Sequence, residues 1–264
     1  MTMNPTYMVR LLVALAIVAA AVVYFSIQPG QASDSTSPRK PVIVELFTSE
    51  GCSSCVPADE LLRHLAQDLA GRNVQVIPLG LHVDYWNSLG WKDRFSSAEF
   101  SHRQEDYERS LGVEGPYTPQ MIVDGTTEFV GNDARRAVRV ITQAAGQPEG
   151  AEVKISAGEK DRLAVSVKAP GAANANILLA ITEDNLSTEV GAGENNGHTL
   201  HHAAVVRELR KLGQLQNGSF ETSVPLALHD DWKRADLRAV VFVQEGRAGK
   251  IRGGASVALM GQAR

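Results

Sequence analysis

From Pro41 onward the chain alternates short apolar runs with longer amphipathic stretches. PVIVELFT, residues 41–48, is a β-rich run. Between Ser53 and Ala70 the leucines Leu61, Leu62, Leu65 and Leu69 recur at the spacing of one helix face, and Gly71 supplies a stop signal. VQVIPLGLHV (74–83) is a second apolar strand candidate, followed by a polar helical stretch, SSAEFSHRQEDYERSLG (96–112). PQMIVDG and TEFV are then separated by Asp124-Gly125, a strong hairpin signal. NDARRAVRVITQAAG (132–146) predicts a last helix, capped by Asn132 or Asp133 and ended by Gly146.

That order is strand, helix, strand, helix, strand, strand, helix. A crossover helix implies parallel pairing of the first two strands, and the hairpin adds an antiparallel one. This is the thioredoxin-like arrangement, expected over residues 41–147. Near AAGQPEGA (144–151) the periodicity changes. EVKISA, RLAVSVKA, NILLAITED and AVVFVQE read as strands, while VVRELRKLG fits helix or strand equally. The expected fold class is therefore α/β: a thioredoxin-like domain of mixed sheet with flanking helices, then a small β-sandwich-like domain over 151–264.

The first 32 residues follow another rule. After Arg10 comes an uncharged apolar segment, Leu11 to Ile27, between a signal-peptide core and a full membrane span in length. Gly30-Gln31-Ala32 places small residues where a signal peptidase reads, and residues 33–40 form a polar linker. The expectation is export to a periplasmic or extracellular location, with residues 1–32 either removed or kept as a membrane anchor. Outside the cytoplasm a disulfide persists. The formal net charge of −4 and the lack of any basic run disfavour a nucleic-acid partner.

Cys52 and Cys55 are the only cysteines. A Cys-x-x-Cys at a strand-to-helix junction sets its first sulfur beside the unpaired N–H groups of the helix start, which favour a thiolate. Cys52 is then the attacking thiol, more exposed and more acidic, and Cys55 resolves the mixed disulfide. Thr118-Pro119 opens the strand QMIVD, a placement suited to a cis bond beside the cysteines. A structural disulfide would show the same two letters. Zinc fits poorly, since four ligands are wanted and there is no second Cys pair; copper held by two thiolates and a histidine stays open. His198, His201 and His202 lie in a stretch that reads as loop entering a strand, so no metal site is assigned to them. No cofactor is called for, because no phosphate-cradling glycine loop or hydrolase elbow is present.

Several separated motifs resemble one family. FTSEGCSSC-x-PAD, HVDYW-x-x-LGWKD-x-F, RQ-x-x-Y, YTPQMIVDG, GENNGHTLHHAAVVR and VFVQEGRAGKIRGGA are similar to the secreted thioredoxin-like family catalogued as domain of unknown function 1223. The resemblance covers Pro41 to Leu259. Val56 stands where that family carries proline, and His198 and His201 stand where arginines are more usual. The family brings no established reaction with it.

Around the pair, Glu45 lies inside the apolar run VIVELF. The resemblance to thioredoxins implies a buried acid helping to move the resolving thiol's proton; the plainer reading is a carboxylate on a solvated strand face. Glu50 reads as an exposed loop residue. Trp86 and Trp91 belong to an aromatic insert, HVDYWNSLGWKDRF, which lines a substrate-binding surface or fills local core. With Thr118 and Pro119 they complete the expected substrate-binding set. His82 and Asp84 are within reach of it. The sequence thus points to a thiol–disulfide oxidoreductase whose partners are protein thiols or disulfides. The alternative is a binding or metal-delivery protein on a disulfide-stapled scaffold.

Overall fold

The first apolar run becomes β1 (Val42–Thr48), and every residue of it is buried. A strand covered on both faces needs no polar alternation, which explains the continuous run VIVELF. Val42, Val44 and Leu46 pack against α1 (Val56–Ala70) and α3 (Ala134–Ala145). Ile43 and Phe47 face the other way, toward Phe100 and Tyr107 of α2 (Ala98–Leu111). The computed structural model describes residues 40–259 except Ala173. The apolar segment Leu11–Ile27 and nearly all of the expected linker lie outside the described residues. Lys40, the linker's last residue, is buried and ion-paired with Asp124. No helix among the described residues is long and apolar enough to cross a membrane.

Local chemistry shapes the elements of this half. Leu62, Leu65 and Leu69 form the buried face of α1, with Leu61 at its margin. Ser97 caps α2 by accepting the Glu99 N–H, and Gly112 ends it in the left-handed conformation. Asp133 caps α3 through the Arg136 N–H. β3 (Gln120–Val123) and β4 (Thr127–Val130) turn at Asp124-Gly125, both at positive φ (46° and 66°), as the hairpin signal requires. β2 (Val76–His82) runs parallel to β1, and β3 antiparallel to it on the other side.

The later strands do not form a separate sheet. β7 (Asn176–Glu183), β10 (Val205–Gln214), β12 (Leu237–Gln244) and β13 (Ile251–Ala258) extend the first sheet to eight strands in the order β13-β12-β7-β10-β2-β1-β3-β4. The seam is the β10–β2 edge, where Val205 registers with Gly80 and the Gly80 N–H donates to Ala204 O at 2.7 Å. A Cβ on Gly80 would meet the Ala203 and Ala204 carbonyls at 3.3–3.4 Å, so this glycine lets the two halves close up. Without β10 the far side of β2 would be an open edge.

A three-stranded sheet, β11-β6-β5, lies over the far end. It is made of β5 (Glu152–Gly158), β6 (Arg162–Lys168) and β11 (Ser219–Pro225). Leu163, Val165 and Val167 of β6 share a core with Ile177, Leu179 and Ile181 of β7 and Leu237, Ala239, Val241 and Val243 of β12. The second half is therefore layered like a sandwich, but its larger layer is continuous with the first half. The boundary expected near residues 144–151 falls in the α3–β5 connection, and both halves lie in one unit. VVRELRKLG is strand, within β10. A small hairpin, β8 (Leu186–Glu189) with β9 (Thr199–His202), completes the elements.

Candidate functional site

β1 delivers the chain to a tight turn in which Cys52 N–H donates to Ser49 O (3.1 Å) and Cys55 N–H to Cys52 O (3.2 Å). A 3-10 turn, Ser53–Cys55, then leads into α1 at Val56, with Pro57 in its first turn. Cys52 and Cys55 are joined in a disulfide with their Cα atoms 5.4 Å apart. The Thr118–Pro119 bond is cis. Thr118 Oγ1 lies 3.4 Å from Cys52 Sγ and accepts the indole N–H of Trp86 at 2.8 Å. Pro119 is anchored one step further, its carbonyl accepting the Gly131 N–H. The structure thus gathers Cys52, Cys55, Thr118, Pro119 and Trp86.

The second tryptophan joins from above. Trp91 Nε1 donates to Glu50 Oε2 at 2.8 Å, two residues before Cys52. Two residues from the far half close over the same turn. Asn195 Nδ2 donates to Glu50 O (2.8 Å), and Glu194 Oε2 accepts from both Ser53 N–H (2.9 Å) and Ser53 Oγ (2.8 Å). Both cysteines are 0% exposed. The expectation of a more exposed Cys52 does not hold in this state: the helix entrance is also bonded by residues 141 and 145 positions along the chain, which no local pattern reports.

Glu45 is buried but stands elsewhere. It points to the α2 side of β1, and Arg103 Nε donates to Glu45 Oε1 at 2.6 Å and Arg103 Nη2 to Oε2 at 3.1 Å. Tyr107 OH also donates to Oε2, and Arg103 further bonds Gln244 Oε1 at 3.0 Å. α1, which follows directly on Cys55, packs on the opposite face. The structure therefore does not bring Glu45 to the disulfide, and its solvated-strand reading fails equally because the strand is central.

The acids nearest the turn are others. Glu50, read as an exposed loop residue, is 0% exposed. Asp59 is one helical turn beyond Cys55, buried, and accepts from Thr48 Oγ1 at 3.1 Å. His82 Nδ1 and Asp93 Oδ2 are 2.7 Å apart, and Asp93 also accepts the Glu50 and Phe95 N–H groups. His202 Nε2 faces Glu50 Oε1 at 3.4 Å, and its ring lies edge-on to His82 with centroids 5.0 Å apart. Neither ring nitrogen of His202, nor Glu50 Oε1, has a hydrogen-bond partner.

Burial acts against every charge here, and the outcomes differ. Desolvation raises Asp59 above the usual carboxylate range despite the nearby His202 and His82 and the Thr48 bond. For His82, burial favours the neutral ring, yet Asp93, Asp59 and Glu50 together raise its pKa. For Asp93 and Glu50, burial is outweighed by His82 and by His202 respectively, so both are lowered. Sequence reasoning missed Asp59 and Glu50. The spacing C-x-x-x-D from Cys55 sets Asp59 one helical turn further on, a signal that helix periodicity could have supplied.

The histidine cluster divides. His201 and His202 are successive residues of β9 and face opposite sides, His202 inward and His201 outward, while His198 is exposed. Among the described residues no group of three or more His, Cys, Asp or Glu is arranged to hold a metal ion. Asp84 accepts from Ser101 Oγ of α2.

A family model described as "protein of unknown function (DUF1223)" matches residues 43–244. The chain belongs to the DUF1223 family. It is similar to the crystal structure of a structural-genomics protein from Agrobacterium tumefaciens: 28% identity, TM-score 0.69, covering 84% of this chain and 96% of that one. This chain has a mixed α/β fold with one large sheet. A second solved structure, from Bacteroides fragilis, is 14% identical with a TM-score of 0.16 over 41% of this chain and 15% of that one, and carries no argument. No curated protein matches.

Proposed function

We propose that this DUF1223 protein is an exported thiol–disulfide oxidoreductase with a thioredoxin-like first half, acting on cysteines of other proteins through Cys52 and Cys55. The observation that carries the reading is the contact of Thr118 with Cys52 Sγ at the start of α1. One sulfur of the pair is held by a loop whose backbone can dock an extended substrate, and the other is tucked under the helix. The strand order β2-β1-β3-β4 with helices after β1, β2 and β4 supports the same reading.

A substrate thiolate attacks Cys52 Sγ, the Cys52–Cys55 bond breaks, and Cys55 leaves as a thiolate. A second substrate thiol, as thiolate, then attacks the substrate's own sulfur in the mixed disulfide. This releases substrate disulfide and leaves two thiols on the protein, with two electrons and two protons transferred. Run backwards, the dithiol reduces a substrate. Asp59, with its raised pKa, is better placed than Glu45 to exchange a proton with Cys55. The partner surface is apolar. Val56 (38% exposed), Tyr85 (36%), Leu89 (61%) and Val130 (50%) are exposed large hydrophobics, and each is at most three residues along the chain from Cys55, Trp86 or Gly131. Residues 11–27 would deliver or anchor the protein outside the cytoplasm.

A second reading, a binding protein with a structural disulfide, is favoured by the complete burial of both sulfurs. Trapping separates the two. Expressed in its exported compartment, Cys55→Ser should accumulate reducible high-mass adducts through Cys52, and Cys52→Ser should not. Empty lanes from both variants, with similar losses of stability, would favour the structural disulfide.

A further inference from the structure

The disulfide is buried although it sits in a surface turn: Ser53 and Ser54, between the cysteines, are both exposed. Bonded to this turn on either side of Cys52 is the β8–β9 connection, Val190–His198. This loop is closed on itself by Val190 N–H to His198 O (2.9 Å), Gly197 N–H to Val190 O (2.8 Å) and His198 N–H to Asn195 O (3.1 Å). Its two outward grips are Glu194 on Ser53 and Asn195 on the Glu50 carbonyl. Its flank rests on Trp91: a Cβ on Gly193 would lie 3.2 Å from Trp91 Cβ, and one on Gly191 3.6 Å from Trp91 Cζ3. Gly193 and Gly197 hold φ of +74° and +80°, which side-chain-bearing residues rarely adopt.

We infer that Val190–His198 is a latch that closes the Cys52–Cys55 disulfide to thiols and must swing off the turn before Cys52 can exchange. The geometry separates a rigid loop from a weak attachment. The loop's internal bonds are backbone bonds, whereas its hold on the turn is one exposed carboxylate and one amide. Glu194 takes the Ser53 N–H at the helix start, a donor that would otherwise be free to stabilise negative charge beside Cys52. Closed, the latch therefore both hides the sulfur and opposes its ionisation. This assigns the second half of the chain a role in controlling a site built by the first. The inference deepens the oxidoreductase reading, but its test measures access to sulfur and does not depend on any physiological substrate.

The test is the rate at which dithiothreitol reduces the disulfide in the full chain. A dithiothreitol thiolate attacks Cys52, its second thiol closes the ring, and the protein is left with two thiols. Glu194→Gln and Asn195→Ala should each accelerate reduction several-fold and together by about tenfold or more, consistent with the loss of one charge-assisted and one neutral hydrogen bond. Glu189→Gln, on the exposed face of β8, should leave the rate unchanged. Equal rates for wild type and the double variant would overturn the latch. Should the double variant lose its fold, hydrogen exchange on wild type decides: the Ser53 amide, bonded to Glu194, should exchange faster than the amides of β1. Exchange of the Ser53 amide only with global unfolding would overturn it. Because trapping by Cys55→Ser is a separate measurement, the latch and the oxidoreductase reading can fail independently.

Discussion

Two buried polar clusters flank β1, and they are built to opposite standards. On the α2 side, Glu45, Arg103, Tyr107 and Gln244 form a closed network. Both carboxylate oxygens are taken, Arg103 is bonded to three residues, and Gln244 Nε2 donates to Tyr107 OH (2.8 Å) and Gly249 O (3.0 Å). At the C-terminal end of the strand, Glu50, Asp59, His82, Asp93 and His202 are equally buried, but Glu50 Oε1 and both nitrogens of His202 are left without partners. Each cluster joins the halves of the chain, through Gln244 of β12 in one case and His202 of β9 in the other. A fully paired network fixes one arrangement. A partly paired one, close to the disulfide's turn, leaves buried polar atoms unsatisfied.

The largest expected effect breaks the closed network. Arg103→Met strips Glu45 of its counter-charge inside the sheet and should cost about 3–5 kcal/mol in denaturant unfolding. Pairing it with Glu45→Leu should restore most of that loss, because two apolar side chains can replace a buried ion pair. The double variant should keep the disulfide's reduction rate. A changed rate would join Glu45 to the site after all and erase the contrast between the clusters.

A smaller effect sharpens the contrast through pH. Asp93 and Glu50 have folded-state pKa values below the unfolded ones, so the stability they contribute is present above the ordinary carboxylate range and lost as pH falls through the depressed values. His82 is raised, so its contribution is complete below about 6.5 and lost as pH rises through the folded value. These three groups favour the range between those limits, while the raised Asp59 works the other way and favours lower pH. His82→Gln should flatten the alkaline decline in urea midpoints while leaving an acid decline. An alkaline limb unchanged in His82→Gln would mean that the ring is not charged in the folded protein.

The difference between the clusters also marks how far the sequence could be read. Features set by neighbours in the chain were legible. The Asp124-Gly125 turn, the leucine face of α1 and the Thr118-Pro119 opening of β3 all rest on spacings of a few residues. The partners of each cluster come from far away. Arg103 finds Glu45 across 58 residues and Gln244 across 141, while Ser53 meets Glu194 across 141. No periodicity reports such pairings. The same limit hid the β2–β10 seam, since an edge strand reads alike whether its partner lies 10 or 125 residues on. Glu50 looked exposed because its neighbours Ser49 and Gly51 are turn residues, and burial arrived with Trp91, Asn195 and His202.

Alkylation of the reduced protein across pH decides whether Cys52, and not Cys55, is the exchanging sulfur of a redox pair. One thiol should be modified first, mass mapping should assign it to Cys52, and its pKa should lie below the free-thiol figure of about 8.5. Glu194→Gln should lower that pKa further by freeing the Ser53 N–H. Equal modification of both cysteines, each titrating near about 8.5, would contradict it and leave the pair as a staple.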